Sequence, residues 1–579
     1  MTRLSLCLST SGLALALLAA APAAAQTVGD DAPPPTGAGL DRYDEPEALA
    51  TEDEDGESSS RDRRGPARTR IEVTPYIEVG QVLTARIGGG NGGGNDVLTY
   101  STVAAGLEAT VSSRRVQLAA DVRYERRIAW DDPLLDNDVI SGIIRGRVDV
   151  APGFSLEGGA LAARASVDGR GGSGQFTVGD RGSTANIYSF YAGPTFGRRI
   201  GDLDVGAAYR FGFSKSEVEF GPNLTGDTTT LGSFDDSTNH SAIASIGMRP
   251  GRLPLGWKLS GGWDREDAGQ LDQRYQGLFG RLDLTLPVTP TLALVGGVGY
   301  EDIEVSYRQP VLTPAGAPVI DGNGRFVTDR TQPRQIAFDT SGLIWDAGVL
   351  YRPNRRMTLE ARVGRRYNDW TYTGSWSMQT GRNSAIQLGV YDGISTFGRQ
   401  LTTGLAALPT DFDVTRNPID GGIGGCAFGA SGGTCLTPSL GNAVGVAFRN
   451  RGAVLSISSR QRPWTLGAAV GYDRRSYEIE GIPGIAGLDG TVDETWYAYL
   501  SASRALSDRT SFGSSVYATY FDSGLGNDAY SSGASAAVSH LFASRLTGNA
   551  AVSLNTIDQD GFEAQTFASA LLGLRYSFR

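Results

Sequence analysis

EAQTFASALLGLRYSF, residues Glu563–Phe578, alternates between two kinds of side chain over most of its length. A period of two indicates a β-strand, whose successive side chains point to opposite faces, and not a helix. One face carries Ala564, Thr566, Ala568, Ala570, Leu572, Leu574, Tyr576 and Phe578. The other face holds small or polar residues such as Gln565, Ser569 and Arg575. The stretch is therefore predicted to be a strand with one face in lipid and the other toward a wet interior.

The same alternation recurs along the chain from Ile71 onward. In Arg115–Arg126 the even positions are apolar up to Tyr124, and most of the odd positions are polar or charged. Soluble, half-buried strands alternate as well, so a single strand decides nothing. The repetition decides it, because the pattern returns in Leu203–Phe213, Leu292–Tyr300 and Trp464–Tyr472.

The connections alternate in length. Ten short turns, from Ser112–Arg114 to Ala543–Arg545, are separated by connections that are usually longer. The longest of these are Ala165–Asn186, Glu219–Thr238, Arg308–Thr340 and Gly393–Gly441. In outer-membrane barrels the periplasmic turns are short and the outer loops are long. Ten turns separate eleven hairpins, so the predicted fold is all-β: a transmembrane antiparallel up-and-down barrel of about 22 strands, occupying residues 71–579, with both termini periplasmic.

Composition excludes other classes. After the N-terminus no apolar run approaches the ~18–20 residues of a spanning helix, and mean hydropathy is −0.19. The formal charge of the 579-residue chain is −11, which argues against nucleic acid as a partner. A barrel remains compatible with this composition because only alternate residues need to be apolar.

The N-terminal residues form two segments that do not alternate. Residues 1–25 are predicted to be a secretory signal peptide, with Arg3 before a short apolar core and cleavage between Ala25 and Gln26. Residues 26–70 contain twelve acids and six arginines, about −6 in charge, and almost no aromatic residues. Such a composition cannot bury enough apolar area to fold, so a disordered acidic periplasmic tail is predicted. A docking arm for a partner is the alternative.

Cys426 and Cys435 lie in the longest predicted outer loop and form the one cysteine pair that remains after signal removal. In an oxidising compartment this pair predicts a disulfide, which would restrict a loose segment by ~2–3 kcal/mol. A metal site is disfavoured because no histidine or third cysteine is nearby in the sequence. Neither a metal nor another cofactor is expected.

Two motifs match a catalytic or a phosphate-binding sequence pattern, but neither has the predicted secondary structure that the pattern requires. Gly429–Gly433 spells a nucleophile elbow, but that motif requires a strand, a sharp turn and a helix, whereas here a glycine-rich loop is predicted. The two histidines, His240 and His540, are expected at opposite ends of the barrel. Gly88–Gly94 resembles a phosphate loop without the following helix. The chain is therefore not expected to be an enzyme.

Asp321-Gly322-Asn323-Gly324 lies between two short apolar pairs inside the connection Arg308–Thr340. This arrangement predicts a hairpin, which could lie over the barrel mouth or fold inward as a constriction. A calcium turn is the alternative, although the ligand spacing of an EF-hand is incomplete.

Charged residues at inward-facing positions are the candidate functional residues. They mix both signs on the same and on neighbouring strands, so two hypotheses stand equally: ion-pair ladders that stabilise the wall, or a selectivity filter. They are Asp121, Arg123, Glu125, Arg145, Arg147, Asp149, Arg281, Asp283, Glu360 and Arg362.

By its signal peptide, alternating strands, turn asymmetry and terminal strand, the chain resembles porin-like outer-membrane β-barrels of Gram-negative bacteria. The strand number also resembles that of plugged receptor barrels, but those carry a folded plug of more than a hundred residues before the barrel, where this chain has residues 26–70. The porin resemblance implies an outer-membrane location, with contact to outer-membrane lipid and lipopolysaccharide. It also implies that the barrel-assembly machinery recognises the terminal strand, here Leu572, Leu574, Tyr576 and Phe578, although Arg579 follows the terminal aromatic residue.

Two functions follow as expectations. The first is a passive, porin-like channel for small polar solutes, because the inner face of a large ring is polar and charged. The second is a structural or export-associated barrel whose lumen is occluded and whose N-terminal tail binds a partner. The fold cannot choose between them.

Overall fold

A computed structural model describes residues 69–88, 97–130, 137–166, 184–218, 234–321, 325–430, 432–440, 443–477, 489–524, 526, 528–561 and 563–578. The predicted signal peptide, almost all of the predicted tail and most of the Gly88–Gly94 motif lie outside the described residues.

The described residues are mostly long strands. The first eleven are β1 (Arg70–Gly88), β2 (Val97–Ser112), β3 (Val116–Ala129), β4 (Asn137–Ala151), β5 (Phe154–Ser166), β6 (Thr184–Ile200), β7 (Leu203–Val218), β8 (Asp236–Met248), β9 (Gly256–Ala268), β10 (Arg274–Pro287) and β11 (Leu292–Tyr307). The next four are β12 (Gln335–Asn354), β13 (Met357–Arg366), β14 (Asp369–Gly381) and β15 (Ser384–Ser395). After three short strands, the last seven are β19 (Phe448–Gln461), β20 (Trp464–Ser476), β21 (Val492–Ala505), β22 (Thr510–Asp522), β23 (Ala529–Ala543), β24 (Leu546–Gln559) and β25 (Gln565–Ser577).

These 22 long strands form one closed antiparallel sheet. Each strand pairs with its neighbour along the chain, and β15 pairs directly with β19 across the residues between them. Closure is made by β25, which pairs with β24 on one side and with β1 on the other, from Tyr76↔Ser577 to Gly88↔Thr566. The predicted barrel and its closing strand are confirmed. A closed ring leaves no strand edge unpaired in lipid.

Short and long connections alternate between the observed strands, as predicted. Ten short connections, such as 152–153 and 544–545, lie at the end where β1 begins and β25 ends. Connections at the other end are generally longer, with one exception between β13 and β14. There Tyr367 and Asn368 both adopt positive φ, 53° and 58°, which is the geometry of a two-residue hairpin turn.

The two faces of the wall differ as the alternation requires. Outward side chains are apolar and exposed, with Leu343 at 67 % and Leu572 at 70 %. Inward side chains on the same strands are small, polar or charged, as with Ser569 at 5 % exposure. An apolar exterior on a closed barrel is the surface that a membrane-spanning barrel presents to lipid.

Exposed aromatic side chains stand near both ends of the wall, as interfacial girdles do. At the long-connection end they include Trp130, Trp370 and Trp496, and at the short-turn end Phe542 and Phe578.

The remaining regular elements lie between β15 and β19, with one short exception. They are α1 (Phe397–Ala406), β16 (Asp413–Arg416), β17 (Ile423–Gly429), β18 (Gly432–Cys435) and α2 (Thr437–Leu440), and the exception is a 3₁₀ turn, Gln270–Asp272. The strands β16, β17 and β18 form a separate three-stranded sheet. No helix among the described residues is long and apolar enough to cross a membrane.

Candidate functional site in the barrel lumen

The described residues of the range 396–447, here called the lumenal insertion, fold inside the barrel rather than outside it. Sequence analysis predicted an outer loop at Gly393–Gly441, and that prediction is wrong in two respects. The wall strands continue to Ser395 and resume at Phe448, and the residues between them pack against inward-facing side chains of the wall. The physical reason is that the insertion carries its own apolar face, which is buried against the wall instead of being left in water.

The helix α1 supplies most of that apolar face. Phe397, Leu401 and Leu405 recur every four residues, so they lie on one side of the helix, and none is more than 1 % exposed. They pack in one cluster with inward residues of the wall: Ala119, Ile143, Leu161, Ala163, Ile187 and Tyr191. The close approach of α1 to the wall depends on Gly398, where a Cβ would lie 2.1 Å from Oγ of Ser237.

The hairpin of β17 and β18 anchors the insertion to the opposite arc of the wall. Cys426 and Cys435 face each other in this hairpin and form a disulfide, with 1 % and 3 % exposure. Phe428, on the same hairpin, stacks on Tyr499 of β21 with ring centroids 6.1 Å apart. Room for the Phe428 ring is left by Gly467 on β20, where a Cβ would lie 2.4 Å from the ring. The disulfide therefore lies within the lumen, where an outer loop was expected.

Charged groups on β1 and β3 form a chain of ion pairs that ends at the insertion. Arg123 bridges Glu78 of β1 and Glu125, at 3.0 and 2.7 Å, and Arg127 binds the other oxygen of Glu125 at 2.8 Å. Arg127 Nη2 then donates to the backbone carbonyl of Asp420 in the insertion, at 2.9 Å. The inward charges Arg123 and Glu125 thus form an ion-pair ladder whose far end holds the insertion.

Asp420 is a buried acid of the lumenal insertion, 2 % exposed, and lies beside Arg127 of β3. Its Oδ1 accepts a hydrogen bond from the backbone N–H of Gly422 at 2.9 Å, whereas Oδ2 is buried with no hydrogen-bond partner among the described residues. Burial raises the pKa of Asp420 to about 6, against the opposing attraction of Arg127. The carboxyl group of Asp420 therefore stays protonated at pH values where an exposed aspartate is ionised.

Arg416 on β16 connects the insertion to two wall strands. Its Nη2 binds Asp121 Oδ1 of β3 at 2.7 Å, and its Nη1 donates to Ser141 Oγ of β4 at 2.7 Å. The same Nη1 donates to the carbonyl of Gly421 at 2.8 Å, so one side chain also closes the turn within the insertion. Asp121 is thereby paired with the insertion rather than with a neighbouring wall strand.

Polar contacts also hold the start of the insertion. Thr396 donates its hydroxyl to the buried carboxylate of Glu266 on β9. Gln400 accepts from Arg475 of β20 at 2.8 Å, and Thr402 accepts from Asn239 of β8 at 3.1 Å. Helix α1 is therefore tied to strands on both sides of the point where it enters the lumen.

The insertion reaches the short-turn end of the barrel. Thr410 donates to Gln117 Oε1 at 2.8 Å, and Gln117 is the second residue of β3 after a short turn. Arg460, the penultimate residue of β19, donates to the backbone carbonyls of Asp411 and Phe428 at 2.7 and 2.9 Å. The insertion thus extends along most of the lumen instead of covering only its mouth.

A second group of inward charges lies on β10, β12 and β13. Arg362 Nη1 binds Asp283 and Asp346 at 2.8 and 3.0 Å. Arg281 Nη2 binds the same two carboxylates at 2.8 and 2.6 Å, and Arg362 Nε binds Glu360 at 2.7 Å. These side chains keep 12–18 % exposure, more than Arg123, Glu125 and Arg127 at 9, 3 and 6 %. This arc of the wall therefore presents paired but solvent-accessible charges of both signs to the lumen.

The remaining predicted inward charges lie on β4. Arg147 pairs with Asp149 at 3.1 Å and with Glu157 of β5 at 3.1 Å. Arg145 Nε donates to the carbonyl of Leu408 in the insertion at 2.5 Å. Within this set, Arg145 contributes to holding the insertion and the other two form a wall ladder.

The predicted hairpin in the connection between β11 and β12 folds over the mouth. Ile320 and Phe326 pair as an antiparallel bridge around residues 322–324, which lie outside the described residues. Phe326 is 5 % exposed in a cluster with Tyr275, Ile303 and Val446, where the insertion leaves the lumen. The hairpin therefore packs at the long-connection end and not deep in the lumen.

The nucleophile-elbow spelling Gly429–Gly433 belongs to the turn region of the β17–β18 hairpin, not to a strand followed by a helix. Ser431 lies outside the described residues. His240 lies at the long-connection half of β8 and His540 near the short-turn end of β23, where it hydrogen bonds Thr510 at 2.9 Å. No group of three or more metal-ligating side chains occurs within the described parts of the chain.

The residues that hold the insertion, above all Arg416, Asp420 and Phe428, are not among the candidate residues predicted from the sequence. One signal was present: Phe397, Leu401 and Leu405 have helical spacing inside a segment predicted to be an outer loop. A helix with one strongly apolar face needs a surface to cover it, and a large barrel lumen offers one.

No family model matches the chain, and no curated protein matches it. Among solved structures, the chain is similar to the ferric-catecholate import receptor Fiu from E. coli K12, at 11 % identity and a TM-score of 0.40 over 87 % of this chain and 81 % of that one. It is also similar to the FrpB iron transporter from Neisseria meningitidis, at 10 % identity and a TM-score of 0.40, over 87 % and 81 %. OpdO of Pseudomonas aeruginosa matches at 12 % identity and a TM-score of 0.26, over 88 % and 98 %. At such values the similarities support no conclusion about function, and the fold rests on the strand pairing itself.

Proposed function

We propose that this protein is a passive channel for small polar solutes in the outer membrane of a Gram-negative bacterium, with its bore narrowed by the lumenal insertion. An apolar exterior fits a barrel that lies in lipid, and the alternation of short and long connections is typical of outer-membrane barrels. In this orientation both termini are periplasmic, and the outer girdle meets lipopolysaccharide. The terminal residues Leu572, Leu574, Tyr576 and Phe578 would then be the strand that the assembly machinery recognises.

The observation that carries the proposal is the contrast between two arcs of the inner wall. Strands β3 and β4 bind the insertion through Arg127 and Ser141. The cluster around Arg281 and Arg362 instead pairs within the wall and stays partly exposed. A polar path between the insertion and this second arc would pass small hydrated solutes, and its mixed charges would give little preference for sign.

The test is conductance in planar bilayers. Full-length protein should give small, ohmic steps, and a variant in which residues 397–446 are replaced by a short Gly/Ser linker should give steps several times larger. A matched control replaces residues 309–333 of the mouth hairpin with the same linker and should leave the conductance closer to that of the full-length protein. If neither the full-length protein nor the variant lacking the insertion conducts, the channel proposal is wrong.

A barrel whose lumen is occluded is the second candidate function, and one observation favours it. The insertion is tied to many wall strands by buried polar contacts, among them Glu266–Thr396 and Arg475–Gln400. In that case the full-length protein would not conduct whereas the variant lacking the insertion would. Residues 26–70 would then be tested for capture of a partner by the full-length protein, with protein lacking residues 26–70 as the control.

A further inference from the structure

The short-turn rim of the barrel is basic. Seven of the ten short connections contain an arginine that is exposed, represented by Arg115, Arg252, Arg356, Arg382 and Arg509. The acids in these ten connections are Asp202 and Asp508. The formal net charge of the whole chain is −11, so the positive charge of this rim is opposite in sign to the charge of the chain as a whole. Charge of one sign gathered at one rim indicates an anionic partner at that rim.

Exposed apolar side chains stand among these arginines. Ile200 follows Arg199, and Leu253 follows Arg252, at 57 % and 47 % exposure. Phe542, close to the last short turn, is 61 % exposed. Apolar side chains beside arginines at one level are the pattern of a surface that lies in the interface of a membrane, where the apolar groups enter the acyl boundary and the cations meet phosphates.

The guanidinium group of Arg504 lies at the aromatic girdle of this rim. The guanidinium carbon of Arg504 lies 5.1 Å from the ring centroid of Trp464, which is 40 % exposed at the start of β20. Indole rings of a girdle lie at headgroup level. The positive charge of Arg504 is therefore held at the depth where lipid phosphates are found.

We propose that the short-turn rim binds the headgroups of anionic phospholipids in the leaflet that faces it. Arginine suits this partner because its planar fork of N–H donors matches phosphate oxygens. The proposal concerns the outside of the barrel and does not depend on what crosses the lumen. An acidic peptide, including residues 26–70 of this chain, would compete for the same charges and is the alternative occupant that the experiment must distinguish.

The experiment counts lipids that remain bound to the full-length protein. Protein in mixed micelles containing equal amounts of phosphatidylglycerol and phosphatidylcholine is analysed by native mass spectrometry at low and high salt. We expect phosphatidylglycerol to be preferred at low salt and the preference to fall as salt rises. The variant R115Q/R382Q/R509Q, which changes three of the short connections, should show a preference at least about fivefold smaller than that of the unmodified protein.

The matched control carries three exposed arginines of the opposite end, as R126Q/R330Q/R365Q, and should keep the preference. A turn variant that binds phosphatidylglycerol as well as the unmodified protein would overturn the proposal. So would a full-length protein without preference that gains one when residues 26–70 are deleted, because the acidic segment would then be the occupant. Circular dichroism and heat-modifiable gel mobility show that each variant is folded.

Discussion

Arg416 and Asp121 join the lumenal insertion to the barrel wall through one carboxylate oxygen. Nε and Nη2 of Arg416 lie 3.0 and 2.7 Å from Oδ1 of Asp121, and Nη2 also approaches the backbone carbonyls of Asp121 and Ser141 at 3.2 Å. The side chains are 16 % and 18 % exposed. The pair fixes the relative position of two parts of the chain that are far apart in sequence.

R416A should loosen the insertion and enlarge the conductance steps. Removing the guanidinium leaves Asp121 without its partner and the carbonyl of Gly421 with one donor fewer, at a cost of about 1–3 kcal/mol in the free energy of unfolding. The control is R126A, because the Arg126–Asp138 pair is 44 % and 51 % exposed on the outside of the wall. Unchanged conductance and unchanged urea midpoint in R416A would contradict the role assigned to the pair.

Acidification should hold the insertion more firmly. Burial raises the pKa of Asp420 from 3.8 to about 6. Because the docked state binds the proton more tightly than an exposed aspartate would, docking gains about 2–3 kcal/mol as pH falls from above 6 to below 4. Conductance measured at successive pH values should therefore decrease as pH falls from about 6 to about 4. D420N should remove this part of the pH dependence, and a variant that retains it in full would show that another group is responsible.

C426S/C435S should leave the barrel intact but release the hairpin of the insertion. Loss of a cross-link that closes a loop of this size costs about 2–3 kcal/mol of chain entropy. Current noise in single-channel traces should increase, while the heat-modifiable gel mobility of the barrel should not change. Because both cysteines are at most 3 % exposed, dithiothreitol should reduce the bond only after unfolding. Rapid reduction of the folded protein, followed by mass measurement of alkylated thiols, would contradict this burial.

G467A should displace Phe428 from its place against β20. The added methyl group would lie 2.4 Å from the ring, so the hairpin must move, at a cost of about 1–3 kcal/mol. G513A is the matched control on β22, because a Cβ there meets nothing within 4 Å. The two variants are compared by urea unfolding in micelles and by conductance. Equal effects of the two substitutions would mean that Gly467 acts only through strand propensity.

L572R should destabilise the closing strand in lipid. Leu572 is 70 % exposed on the outer face of β25, and an arginine on the lipid face of a barrel costs about 2–4 kcal/mol near the membrane midplane. The same substitution at Leu312, 57 % exposed in the connection between β11 and β12, should have little effect. The comparison is made by urea unfolding in phospholipid vesicles. An L572R protein as stable as L312R would argue against lipid contact at this face.

Much of the wall could be predicted from the sequence because its rules are local. A period of two assigns each side chain in β3 or β25 to a face, and the lengths of the connections assign each strand end to a side. Asp283 and Arg362 could therefore be predicted to point inward. Their mutual pairing could not be predicted, because it depends on the register between strands that are distant in the sequence.

The sequence by itself determined that there are about 22 strands, which face each side chain of a strand lies on, the end of the barrel at which each turn lies, and the cysteines available for pairing. These features follow from local patterns, namely the alternation of side chains along each strand and the lengths of the connections. Only the tertiary structure decided that residues 396–447 lie inside the barrel. A segment of this kind buries its apolar face wherever a complementary surface exists. That surface is assembled only when 22 strands close into a ring, which brings together Gly467 on one arc and Ser141 on another.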